Sequence, residues 1–146
     1  YVAAGIGAVV GYRACIAGAA GGCQAEIGTA SAMAAGALVA LHGGSEKAII
    51  HAAAMAIKNL LGLVCDPVAG LVEVPCVKRN VVGAMNALSS ADMALAGIES
   101  RIPPDQVIDA MKEVGDQMNS SLKETGLGGL AGTPFGKEVA ENFLGK

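Results

Sequence analysis

A chain of 146 residues, 53% apolar but only 3% aromatic and with a net charge of −3, has the size of one domain and no basic tract with which to hold nucleic acid. Ala and Gly supply most of the apolar share, so a core must come from close approach of helix backbones and not from large side chains. A membrane span needs about 20 mostly apolar residues. Arg13, Glu26, His51 and Lys58 interrupt the best candidates, so no span is expected. No basic region precedes an apolar core as in a signal peptide, and the expected location is the cytoplasm. There, four cysteines point to metal or catalysis before disulfides.

The pattern is helical nearly throughout and predicts an all-α single domain of about five to six helices joined by Gly/Pro-rich loops. Residues 2–18 read as a buried helix, although Gly5, Gly7 and Gly11 weaken it. Gly21-Gly22 break the chain, and an Ala-rich helix runs from Gln24 to Leu41 before the stop at His42-Gly43-Gly44. Ser45 is placed to cap a helix that continues to about Leu61, where Gly62 ends it. Residues 62–75, with two Pro and two Gly, read as a buried loop with at most a short strand. A long helix is expected from Cys76 to Ile98. Another follows Pro103-Pro104-Asp105, with Val107, Ile108, Met111, Val114 and Met118 at helical spacing. The glycines of 126–133 suggest a flexible linker, and Thr133-Pro134 opens a last helix to Leu144. Tyr1 stands where a Met would begin a chain, and the opening stretch already reads as helix interior. These residues are therefore expected to be a region of a larger polypeptide.

Chemistry concentrates at the cysteines. A buried free cysteine is usually a small hydrophobe, and Cys15, set in the first apolar helix, reads that way. Cys23, Cys65 and Cys76 stand at breaks or helix starts, where backbone N–H groups lack intrahelical partners. Cys23 precedes one helix and Cys76 opens another, so two positive helix ends would face an anionic group held there. Thiolates bind soft metals and iron–sulfur clusters, whereas zinc more often draws on close Cys pairs, which are missing. Lys78 and Arg79 lie in a first helical turn that disfavours cations. They are either a solvated face or the partners of something anionic, with Asn80 an adjacent polar contact. Glu26 suits its own helix N-terminus and Asp66 a turn before Pro67, and each also lies close enough to a cysteine to support a ligand. His42 fits a helix end and His51 an ordinary helical position.

Two blocks together are similar to one family: Gly-Gly-Cys23-Gln-Ala-Glu-Ile-Gly and Leu61-Gly-Leu-Val-Cys65-Asp-Pro-Val-Ala-Gly-Leu-Val-Glu-Val-Pro-Cys76-Val-Lys-Arg-Asn80. They resemble the catalytic α region of the iron–sulfur-dependent L-serine dehydratases, and the likeness continues through Asn86 and Ala91. It implies a [4Fe–4S] cluster held by Cys23, Cys65 and Cys76, with one iron open. That iron would act as a Lewis acid on the hydroxyl of L-serine, and loss of water and then ammonia would yield pyruvate. Lys78, Arg79 and Asn80 become candidate substrate contacts. A β-type domain or subunit and an oligomeric assembly are the implied partners. The family's β-type domain, its upstream α-region sequence and a C-terminal cysteine have no counterpart in these residues. Two other readings compete: a structural zinc module on some set of Cys15, Cys23, Cys65, Cys76 and a His, and a metal-free helical interaction domain.

Overall fold

The computed structural model describes residues 1–145 and is all-α, as expected. Among the described residues there are seven α-helices: α1 (Val2–Arg13), α2 (Gly18–Gly21), α3 (Cys23–Leu41), α4 (Glu46–Asn59), α5 (Cys76–Leu95), α6 (Pro104–Gln117) and α7 (Pro134–Leu144). The count exceeds the expectation because the helix predicted over 2–18 ends early, at Arg13, and a separate short helix forms at Gly18–Gly21. α1 stops at Arg13, whose guanidinium pairs with Asp109 of α6 at 2.7 Å, and an irregular stretch precedes the single turn of α2. Cys15 therefore lies in this irregular stretch, half-buried, and not inside a helix.

α3 is the central element. It packs against α1, α4, α5 and α6, and buried residues occupy most of its circumference, as a helix surrounded by protein requires. The neighbours come close because the contact residues are small: Ala32 and Ala35 of α3 meet Ala52 and Ala56 of α4 and Ala87 and Ala91 of α5 in one core. Larger side chains enter from α6, where Val107, Ile108 and Met111 fill the buried face. Asn86 of α5 ties three helices together, donating to Ser31 Oγ of α3 at 2.8 Å and to the Ala56 carbonyl of α4 at 2.9 Å.

The expected helix ends are present. Ser45 Oγ accepts from the Ala48 N–H at 3.2 Å, and Thr133 Oγ1 accepts from the Gly136 N–H at 3.1 Å. Two connections differ from the sequence reading. Of the 62–75 loop, only Cys65, Asp66 and Pro67 are buried, and 70–74 are exposed; it contains no strand beyond one isolated bridge between Cys65 and Lys123. The 126–133 stretch is not a free linker. It forms a 3-10 turn at Gly129–Gly132 whose Leu130 N–H donates to Asp66 Oδ2 at 2.7 Å.

Candidate metal centre

Cys23, Cys65 and Cys76 converge. All are buried, and their sulfurs lie within 4.8 Å of one another. Cys15 is not among them.

Each thiol is placed by a separate local device. Cys23 is the first residue of α3, reached through Gly22, whose φ of +79° only glycine adopts readily. A side chain at Gly22 would also strike the Leu63 carbonyl, 2.8 Å from the position of a Cβ. Gln24 then pins this helix start. Its backbone N–H donates to the Leu63 carbonyl at 2.9 Å and its side-chain oxygen accepts from the Gly62 N–H at 2.9 Å. Its side-chain amide donates to the Met111 carbonyl at 3.0 Å. Cys65 is held by its own backbone: its N–H donates to the Leu122 carbonyl at 2.9 Å and its carbonyl accepts from the Glu124 N–H at 2.7 Å. Cys76 opens α5. Two of the three sulfurs thus sit at helix N-termini, where unpaired N–H groups and the helix dipole favour negative charge.

The thiols share a small hydrophobic setting with Ile27, Leu60 and Leu63, separate from the main core. Burial pushes the Cys65 thiol well up, reinforced by a hydrogen bond with Cys23 and by the nearby Cys23, Cys76 and Glu124. Cys76 is raised as well, first by burial and then by Cys23, with Arg79 opposing. Cys65 and Cys76, crowded and raised in this way, hold their protons unless a cation replaces them. Arg79 is the nearby positive charge. It reaches Asp66 Oδ1 at 2.6 Å, the Val64 carbonyl at 2.8 Å and Cys23 Sγ at 4.0 Å. Burial works against its charge, but the hydrogen bond and charge of Asp66, then those of Cys23, outweigh it and raise its pKa.

A cavity of about 160 Å³ adjoins the thiols, lined by Cys65 and Cys76 together with Glu26, Val72, Asn80 and Glu124. Asn80 donates to the Cys76 carbonyl at 3.0 Å, which leaves its side-chain oxygen unengaged. Lys78 is exposed and does not line this cavity. The histidines lie elsewhere. His42 bonds the Leu38 carbonyl of its own helix at 2.9 Å, and His51 Nδ1 accepts from the Ser100 N–H at 3.2 Å. Sequence reasoning missed Glu124 entirely, since only the pairing of 122–124 with Cys65 carries it to the thiols. It also missed the bracing role of Gln24, for which the neighbouring Gly-Gly-Cys was a usable signal.

A thiol triad of this kind, beside a pocket and two helix N-termini, matches the arrangement anticipated from the cysteine blocks. The family model described as serine dehydratase alpha chain matches residues 1–131. The chain is 60% identical to the probable L-serine dehydratase alpha chain of Latilactobacillus sakei, over all of this chain and 70% of that protein. It is 59% identical to the probable alpha chain of Bacillus subtilis over 99% of its own length, and 57% identical to the alpha chain of Peptoniphilus asaccharolyticus over 96%. It spans about half the length of these last two, 48% in each case. With the family model matching residues 1–131 and such a relative matching it from end to end, the chain belongs to the serine dehydratase alpha chain family.

Proposed function

We propose that these residues form the metal-binding part of an enzyme that converts L-serine to pyruvate and ammonia, acting with a β-type partner. We propose further that Cys23, Cys65 and Cys76 hold a [4Fe–4S] cluster. The observation that carries the reading is the triad itself: three buried sulfurs mutually within 4.8 Å, with no fourth Cys, His or carboxylate in the same group among the described residues. The donor set suits an iron–sulfur cluster, whose ligands are thiolates, better than a structural zinc ion, which takes four protein ligands. When bound, such a cluster supplies an iron able to act as a Lewis acid on a substrate hydroxyl.

The protein's own side chains have definable tasks around it. The starts of α3 and α5 and the guanidinium of Arg79 compensate the charge of the three thiolates. Asp66 fixes Arg79, so of the residues 78–80 it is Asn80, on the cavity wall with a free oxygen, that meets the substrate. Arg79 acts through the thiols, and Lys78 stays at the solvent-facing side of α5. Val72 and Val77 supply the apolar lining of the cavity.

The test is anaerobic reconstitution followed by iron and sulfide analysis and a visible spectrum. Equal iron and sulfide, near four of each per chain, are expected, with serine turnover once the β-type partner is added. Replacing Cys23, Cys65 or Cys76 by Ala should abolish both, and Cys15→Ala should leave them unchanged. Tight zinc without visible absorption, or iron retained by the triad variants, would overturn the assignment.

A further inference from the structure

The cavity beside the thiols carries two carboxylates that no resident cation balances. Glu26 lies one turn into α3 from Cys23, and Glu124 belongs to the segment paired with Cys65. They crowd one place: around the point a Cβ on Gly18 would occupy, Glu26 Oε2 lies at 3.0 Å, Cys65 Sγ at 3.2 Å and Glu124 Oε2 at 3.7 Å. Among the described residues neither joins an ion pair. The Arg79 guanidinium faces Asp66 and Cys23, and the other paired cations, Arg13, Lys47 and Lys112, are engaged with carboxylates elsewhere. Glu124 holds its place in a left-handed backbone at φ +63°, unusual for a side chain of this kind. Both carboxylates are exposed and line the cavity that Cys65, Cys76 and Asn80 also border.

Two negative groups that repel each other and the adjacent thiolates are complementary to a small cation in the space between. An amino acid brings one in its α-ammonium group, which offers three donors to carboxylate acceptors. We propose that Glu26 and Glu124 form the subsite for the substrate's α-ammonium, and thereby select an amino acid over an acid of the same skeleton that lacks the amino group. This inference rests on the function proposed above, and it makes both residues determinants of specificity.

The test compares L-serine with 3-hydroxypropionate, which keeps the hydroxyl and carboxylate but has no ammonium. Both are titrated into the complete reconstituted enzyme, wild type, Glu26→Gln and Glu124→Gln, with affinity read from the ligand-induced change in the visible spectrum, without turnover. Each Gln variant should bind L-serine about tenfold to a hundredfold more weakly, the range expected for a lost charged hydrogen bond. The affinity for 3-hydroxypropionate should hold or improve, and KM for L-serine should rise more than kcat falls. Parallel weakening of both ligands, or no change in either, overturns the proposal. A variant that no longer holds iron assigns its carboxylate to the scaffold and removes it from the subsite. A wild-type protein that takes up no iron, or whose spectrum ignores L-serine, fails the underlying function and this inference with it.

Discussion

Asp66 uses both carboxylate oxygens inside the protein, one for the Arg79 guanidinium at 2.6 Å and the other for the Leu130 N–H at 2.7 Å. Its side chain is only 4% exposed, so neither contact is replaced by water if it is lost. Asp66→Asn keeps the shape and the acceptor but removes the charge, leaving Arg79 a largely buried cation without its counterion. A loss of about 3 kcal/mol is expected, in the range for breaking a buried pair, and urea denaturation of the metal-free protein measures it. Iron uptake should fall too, because the freed guanidinium no longer holds its place by Cys23. At this scale the sequence was informative about the thiols and much less so about what surrounds them. Cys23, Cys65 and Cys76 could be singled out because each stands at a break or helix start. Glu124 could not, since its place depends on a pairing between segments far apart in the chain, which no local pattern announces. Asp66 read as a turn former, and its two distant partners became visible only in three dimensions.

The elements were legible wherever their ends carried their own chemistry. Ser45 and Thr133 cap as expected, and α4, α6 and α7 begin where those residues and Pro104 place them. The failures share a cause: a tertiary contact decided the outcome. α1 ends at Arg13 with no glycine or proline to mark it, where the chain meets α6. In the 126–133 stretch Gly129 packs against Asp66 and Gly126 against Gly70 and Pro67, where the composition suggested freedom. Packing between elements also explains why glycine recurs inside helices here. Gly83 of α5 faces α3 so closely that a Cβ would lie 2.6 Å from Cγ2 of Ile27, a β-branched side chain with little rotameric freedom in a helix. Ile27 in turn packs with the three cysteines. Gly83→Ala should therefore cost about 1–3 kcal/mol through overpacking, and should lower the iron content by moving Ile27 toward the thiols. Thermal denaturation and iron analysis of the same preparation test both.

For the molecule as a whole, the separation of two apolar regions matters most. The main core of α3, α4, α5 and α6 is built from Ala, Val, Ile and Met and contains no cysteine. The thiols belong to a smaller group with Ile27, Leu60 and Leu63 at one end of the fold. Many small metal-binding domains unfold without their metal because the ligands are their core. Here the helical scaffold has its own. Chelation of the reconstituted protein should therefore leave the far-ultraviolet circular dichroism unchanged and hydrogen exchange in α4 slow, while exchange quickens around Cys65 and the 122–124 segment. A collapse of helicity on chelation would show that the scaffold leans on the metal.

The cavity that borders Cys65 and Cys76 gives small reagents, oxidants included, a path to thiols that are otherwise buried. With the helices standing independently, such an injury stays confined to one corner of the molecule. With the proposed cluster in place, a damaged centre would be emptied and refilled on a standing frame, each round of repair needing fresh iron and sulfide but no new protein.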